Sequence, residues 1–583
     1  MFELSERSAV FRLWSKYLKP QAGRMTILWL FVLVSTSLQL INPQIVRNFI
    51  DIASGAQQDG ELMTTALWFI GVALLAQLSS VAATYLGEKI AWRATNELRG
   101  DLMEHAMKLD LSFHHQTTPG TMIERIDGDV TVLANFFSQF GVRMISNLLL
   151  LIGMLVILFQ VNWVVGLSFT LFSLVSYYVL NKMRHYAVSR WGETRQNSAN
   201  LFGFLEERLA GTEDVRSNGA AQFVMRRLFE LSRVKMRSDY KAHLAWVTSW
   251  NVTIVLFAVA TAMALAFGAY LYWQGSATLG TVFLMYMYVN MLRTPVEQIS
   301  QQIQDLQRAQ ACIKRTQELL HTESKIADGA VASLPAGALE VEFANVDFSY
   351  AEDQAVFKGL SFRLEAGKSL GLLGRTGSGK STIAQMLLRF YDPSSGSIRL
   401  GGVELKQMSL HQLRSKVAMV TQDVQLFSGT VRDNLTFFDR SITDQQILHA
   451  FESLGLTEWF QGLPSGLDTE LGAGGAGFSA GQAQLLAFTR IYLRDPGLVI
   501  FDEASSRLDP ATEQLLSSAV GKLLENRTGI IIAHRLQTIQ TVDQILILEQ
   551  GGILEQGTRE ELCQQPDSRF AQLLQTGMEV SFA

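Results

Sequence analysis

Gly374-Arg375-Thr376-Gly377-Ser378-Gly379-Lys380-Ser381-Thr382 fits the pattern G-x-x-x-x-G-K-[ST]. An apolar run, Ser369-Leu370-Gly371-Leu372-Leu373, leads into it and Ile383-Ala384-Gln385-Met386-Leu387-Leu388 leads out, so the sequence predicts a strand, a glycine loop and a helix start in that order. Glycines let successive backbone N–H groups turn toward an anion, and the helix N-terminus adds its positive end. In such a loop Lys380 meets the outer phosphates of a nucleotide and the Ser381 hydroxyl helps to hold Mg2+. A glycine turn that merely joins a strand to a helix is the plainer alternative, and it leaves the full motif and both flanks unexplained.

Two further stretches extend this reading. Leu339, Val341 and Phe343 alternate with Glu340, Glu342 and Ala344 in a strand pattern that runs up to the aromatic Tyr350. Leu498-Val499-Ile500-Phe501 reads as a buried strand and ends in Asp502-Glu503. Adjacent carboxylates at the end of an apolar strand are costly unless they face a cation or a polar cleft. Beside a phosphate loop, Asp502 suits Mg2+ and Glu503 suits a general base for water.

The remainder of the chain is of another kind. At 583 residues it exceeds one ordinary core, so at least two domains are expected. Charged residues make up only 18% and the mean hydropathy is +0.16. A net charge of -5 gives no support to a nucleic-acid partner. Cys312 and Cys563 stand far apart in sequence, which suggests neither a disulfide framework nor a metal cluster. The N-terminal residues, Met1 to Arg24, do not read as a cleaved signal peptide and are expected along the membrane surface.

Four stretches lack Asp, Glu, Lys and Arg altogether: Met25 to Val46, Leu62 to Gly87, Met144 to Asn181 and Ala242 to Leu292. A helix crosses the hydrocarbon core with about 20 apolar residues, so the first two suit one span each and the last two suit two each. They turn near Gln160-Val161-Asn162-Trp163 and Trp273-Gln274-Gly275-Ser276, which makes six helices. The short connections Asp51 to Glu61, Gln160 to Trp163 and Gln274 to Gly280 hold no Lys or Arg, whereas Lys89 to Arg143 and Lys182 to Lys241 are rich in them. Both termini are therefore expected in the cytoplasm, with the membrane helices continuing well beyond the bilayer. Breaks at Thr118-Pro119-Gly120 and Gly211-Thr212-Glu213-Asp214 are placed to present short transverse helices. No charged side chain interrupts the spans, which argues against a proton relay at the bilayer centre. Met285, Tyr286, Met287, Tyr288 and Met291 are soft residues suited either to an adaptable amphiphile site or to packing.

With these motifs in order, residues 1 to 583 resemble an ATP-binding cassette (ABC) exporter half-transporter of the multidrug or lipid type. Tyr350 matches the family's adenine-stacking aromatic, and Gln422 in Val420-Thr421-Gln422-Asp423 matches its Mg2+-sensing glutamine. Phe478-Ser479-Ala480-Gly481-Gln482 resembles the signature motif, Ser506-Arg507-Leu508-Asp509 the loop that crosses between subunits, and His534 in Ile532-Ala533-His534-Arg535 the switch histidine. The resemblance implies an all-α six-helix transmembrane domain with long cytoplasmic helix extensions, followed by an α/β P-loop ATPase domain, together the type IV ABC exporter fold. The expected boundaries are 1–320 for the membrane domain, 321–337 for a linker and 338–583 for the ATPase domain.

It further implies catalysis by Glu503, His534 and Gln422, ATP held by Tyr350 and the loop from Gly374 to Thr382, and Mg2+ held by Ser381, Gln422 and Asp502. Ser479, Ala480, Gly481 and Gln482 would serve a partner's ATP site, with Asp509 at the crossing. Two ATP-binding domains clamp two ATP molecules head to tail in this family, so a dimer is required.

The usual signature is Leu-Ser-Gly-Gly-Gln, whereas this chain carries Phe478 and Ala480 in place of the Leu and the first Gly. The preceding Gly472-Ala473-Gly474-Gly475-Ala476-Gly477 also lacks the Glu-Arg pair common in such exporters. An intact hydrolytic set beside an altered signature resembles the catalytic subunit of a heterodimeric exporter, and a heterodimer is expected over a homodimer. The leading expectation is ATP-driven export of an amphipathic or hydrophobic drug, lipid or peptide across a bacterial cytoplasmic membrane. The alternative is a membrane-embedded ATPase that gates or senses without net transport.

Overall fold

The computed structural model describes residues 14–55, 59–330, 334–350, 355–475, 477–502, 510–533 and 539–575. The chain divides into two compact units, one comprising Met1–Lys108 and Thr118–Thr322, the other Leu109–Thr117 and Glu323–Ala583.

The first unit is built of long helical rods. α1 (Ala22–Ser54) and α2 (Asp59–Lys108) come first, and the short α3 (Leu111–Gln116), which belongs to the second unit, follows them. Next come α4 (Pro119–Val161) and α5 (Trp163–Ala210), a short α6 (Thr212–Ser217), then α7 (Ala221–Trp273) and α8 (Leu279–His321). The 50 residues of α2 span roughly 75 Å at the rise of an α-helix, more than twice the hydrocarbon thickness. Long extensions beyond the bilayer therefore follow from helix length alone. α4 starts where its sequence dictates, with Thr118 accepting from Thr121 N and Pro119 in the first turn, where a missing N–H costs nothing.

Five of the six rods, α1, α2, α4, α5 and α7, are long and apolar enough to cross a membrane. α8 falls outside that group because charged side chains begin at Arg293, while its first third remains uncharged. In those five rods only 17 to 33% of the apolar window is buried, so most of this apolar surface faces outward, as lipid contact demands. The interior is closed by Met154, Leu158, Phe169, Phe257, Met285, Tyr288 and Leu292. Met285 and Tyr288, candidates for an adaptable site, are fully buried here, and the Tyr288 hydroxyl donates to Leu40 O at 2.7 Å. Packing accounts for both. Asp51 of α1 caps α8 in trans, accepting from Gly280 N and from the Thr278 hydroxyl, each at 2.8 Å.

The second unit holds two sheets. The antiparallel one has the order β2-β1-β4-β5, from β1 (Val341–Ser349), β2 (Ala355–Leu364), β4 (Ser395–Leu400) and β5 (Val403–Glu404). The other has the order β12-β11-β3-β10-β9-β6, from β3 (Ser369–Gly374), β6 (Val417–Val420), β9 (Leu498–Asp502), β10 (Thr528–Ile532), β11 (Gln544–Glu549) and β12 (Gly552–Thr558). All its neighbours run parallel except the edge pair β11–β12. A small ribbon pairs β7 (Gly429–Thr430) with β8 (Glu470–Leu471).

Unbroken apolar strands arise because both faces of the parallel sheet are covered. Leu498 and Ile500 enter the core shared with β1, β2 and β4, while Val499 and Phe501 point to the opposite, mostly helical core, as the two-residue period of a strand requires.

Part of the expected linker is not a free spacer. Ile326 is buried, Asp328 accepts from Leu410 N at 2.7 Å, and Gly329 N donates to Met408 O at 3.1 Å. Composition reads as a linker there because small residues leave little apolar signal; backbone groups nonetheless supply bonding.

Candidate nucleotide site

The parallel sheet brings the site together at the C-terminal ends of its strands. β3 runs into the glycine loop, β9 ends at Asp502, and β6 ends two residues before Gln422. The glycines are required by close approaches. A Cβ on Gly374, at φ +149°, would lie 2.4 Å from Leu548 O, and one on Gly379, at φ +104°, would lie 2.4 Å from Cε1 of Phe357. These glycines let the loop fold tightly enough for the next helix, α9 (Lys380–Leu387), to point its first N–H groups into the loop.

Lys380 is 5% exposed and turns back over the loop, its Nζ donating to Gly374 O at 2.6 Å and to Arg375 O at 3.1 Å. Ser378 Oγ is buried with no hydrogen-bond partner among the described residues. An ammonium resting on backbone carbonyls beside an orphaned hydroxyl is the electrostatic arrangement that an incoming phosphate would satisfy.

A cavity of about 480 Å³ opens on this loop. Thr376, Gly377, Ser381 and Thr382 line it together with Gln422, Asp502, Tyr350 and Val356. The Tyr350 hydroxyl donates to Gln385 Oε1 at 2.9 Å and lies 3.0 Å from Thr382 Oγ1. Its ring meets Phe348 and Tyr391 edge-on and remains half exposed. Burial pushes its phenol pKa up, so it stays neutral at physiological pH. The Ser381 hydroxyl, the Gln422 amide oxygen and the Asp502 carboxylate are hard oxygen donors on one cavity. That donor set fits Mg2+.

The signature-like segment lies at the start of α10 (Ala480–Arg494). Ser479 accepts from Gln482 N at 3.3 Å and its own N–H donates to Gln482 Oε1 at 2.9 Å, a reciprocal capping box. Gly481 is buried against the helix, whereas Ser479 and Ala480 are exposed. Ala480 is the first helical residue and has no positive φ, so its Cβ carries no backbone penalty. Only the approach of a ligand to this helix end feels that methyl. The glycines before it are used conformationally: Gly474, Gly475 and Gly477 take φ of +69°, +79° and +106°.

Three comparisons with known proteins bear on this geometry. Residues 25–296 match the family model of the ABC transporter transmembrane region and residues 357–506 that of the ABC transporter. An ATP-dependent lipid A-core flippase of Alcanivorax borkumensis is 31% identical over 86% of this chain and 87% of its own length. The chain belongs to the ABC transporters. It is also similar to the ABC transporter ATP-binding protein YknV of Bacillus subtilis, at 29% identity over 94% of this chain and 91% of that protein. Among solved structures it resembles a bacterial Atm1-family ABC exporter with ATP bound, with a TM-score of 0.77, 25% identity, and coverage of 95% of this chain and 98% of that one.

This ABC transporter is therefore a multi-pass membrane protein whose export is driven by an ATPase, with the type IV exporter fold. Of its sequence-predicted site residues, Tyr350, Gln422, Asp502 and the phosphate loop share the cavity's strand-end surroundings, and Ser479 to Gln482 stand apart on α10. Glu503, Asp509 and His534 lie outside the described residues. Motif reading missed Val356, which lines the cavity, and Gln385, which anchors Tyr350. Gln385 follows Thr382 by three residues on α9, and that spacing was the available signal.

Proposed function

We propose that this transporter exports a lipid-like amphipathic or hydrophobic compound across a bacterial cytoplasmic membrane, as the catalytic half of a heterodimer with both termini in the cytoplasm. The observation that carries the ATPase half of this reading is the single cavity joining the Lys380 loop, Gln422 and Asp502. The likeness to a lipid A-core flippase supports the substrate class. The exposed Ala480 methyl on an otherwise well-formed helix start supports a partner that supplies the better signature.

In this reading residues 1–320 form the membrane domain and 338–583 the ATPase domain, joined by 321–337. Tyr350 stacks on adenine, the backbone N–H groups from Gly374 to Thr382 cradle the phosphates, and Lys380 exchanges its carbonyl partners for phosphate oxygens. Ser381, Gln422 and Asp502 hold Mg2+, which supplies positive charge to the phosphates when bound. Glu503 accepts a proton from the attacking water and His534 steadies the γ-phosphate. Ser479, Ala480, Gly481 and Gln482 face the partner's nucleotide, and Asp509 lies at the crossing between subunits.

ATP-dependent uptake of a fluorescent phospholipid analogue into inside-out vesicles tests the reading. Uptake is expected with the wild-type protein. Glu503→Gln should nearly abolish both uptake and ATP hydrolysis while leaving ATP binding intact. Robust hydrolysis without uptake of any amphiphile would refute export, and near-normal turnover in Glu503→Gln would refute the base assignment.

A further inference from the structure

The second unit contains a continuous line of bonds from the phosphate-loop helix to α3. Arg389 lies just beyond α9, is 2% exposed and takes a positive φ of 51°. Its guanidinium is fully engaged: Nε donates to Asp392 at 2.9 Å, Nη1 to Met408 O at 3.2 Å and Nη2 to Ala327 O at 2.9 Å. Ala327 lies in the segment 323–329, which is pinned at its far end by the Asp328 and Gly329 bonds to Leu410 and Met408. Gly329 has no room for a side chain, since a Cβ would lie 2.3 Å from both Gln407 O and Met408 O. At its near end Lys325 N donates to Asp110 Oδ2 at 2.7 Å. The other oxygen of Asp110 caps α3, accepting from Ser112 N at 3.0 Å and Phe113 N at 3.3 Å. One carboxylate thus joins the segment to the helix.

Tyr350, on the cavity, meets Tyr391 with ring centroids 5.1 Å apart. Burial first, then the neighbouring Tyr350 and the Asp110 charge, push the Tyr391 phenol up. Tyr391 stands next to Asp392, the partner of Arg389 Nε, so the cavity aromatic adjoins the same line of bonds.

We propose that residues 323–329 act as a tension strap that transmits nucleotide occupancy from α9 to α3 through Arg389, Lys325 N–H and Asp110. The proposal rests on the nucleotide-site reading above. A phosphate draws Lys380 Nζ from Gly374 O and Arg375 O, which shifts the start of α9. Arg389, rigidly bonded just beyond the other end of α9, carries that shift into the strap. Asp110 passes it to α3, which continues directly from α2 in the chain. A flexible linker would absorb the displacement; a strap fixed at both ends conducts it.

Hydrogen–deuterium exchange on the full-length dimer in lipid nanodiscs, with and without Mg2+ and AMP-PNP, tests this. In the wild type, protection should rise at both 374–388 and 109–117. Asp110→Asn keeps a good helix cap but places an amide donor against Lys325 N–H. Lys325→Pro removes the same bond from the other side. Each variant should keep the response at 374–388 and lose it at 109–117. Persistence of the response at 109–117 in either variant would overturn the strap. Loss of both responses in both variants would also overturn it, because the bond would then support the fold rather than transmit. A wild-type protein silent at 374–388 would instead overturn the nucleotide-site reading, and the strap with it.

Discussion

At the scale of single residues, Gly379 stands with its Cα facing the Phe357 ring at a distance that admits no methyl group. Gly379→Ala must displace either the ring or the loop, and strain of this kind costs about 1–3 kcal/mol. Lower ATP affinity and a lower melting temperature are expected together, and binding of a fluorescent ATP analogue with a thermal scan checks both. Asp543 offers a different test. Burial alone would raise its pKa, but hydrogen bonds from Ser369 N–H, the Ser369 hydroxyl and Lys368 outweigh it and hold the carboxyl below its ordinary value. The stabilisation is therefore fully present above the unfolded carboxylate pKa of about 4 and is lost as pH falls through the lower folded value. Asp543→Asn should lower stability at neutral pH and flatten its decline between about pH 5 and pH 2. Urea midpoints of the detergent-solubilised protein across that range measure it.

At the scale of elements, α10 separates what is altered from what is kept. The Ser479–Gln482 capping box is complete, so the helix start is sound, and the difference from the usual signature reduces to an exposed methyl at Ala480. Ala480→Gly removes that methyl at a first-turn position, where the intrinsic cost is at most about 1 kcal/mol. In a heterodimer whose partner carries the degenerate nucleotide site, turnover should stay within about twofold, that is about 0.4 kcal/mol at the barrier. In a homodimer every site would feel the change and turnover should rise several-fold. ATPase assays of the reconstituted variant distinguish the two. The start of α10 at Ser479 was not read from the sequence, although a serine three residues before a glutamine is a cap signal. The helical backbone of Ala480 was not legible, since a change from glycine to alanine looks the same in sequence whether φ is positive or negative.

For the whole molecule, the assembly remains the property that one chain does not contain. Affinity purification of the tagged chain from its native membrane is expected to retain a second ABC subunit with a standard signature and an altered hydrolytic site. Recovery of this chain alone, as an active dimer, would refute the heterodimer.

The sequence by itself determined the membrane rods, the order of motifs and the identity of the phosphate loop, because these depend on local composition, on period and on residues adjacent along the chain. Tertiary structure decided which strand ends share a cavity, that Met285 and Tyr288 pack inward, and that residues 323–329 are bonded rather than free. Those outcomes depend on backbone groups and side chains brought together from distant positions, and such proximity leaves no periodic trace in the sequence. The loop from Gly374 to Thr382 belongs to both kinds: its glycines are legible as a motif, while the carbonyl and ring that exclude every other residue come from Leu548 and Phe357.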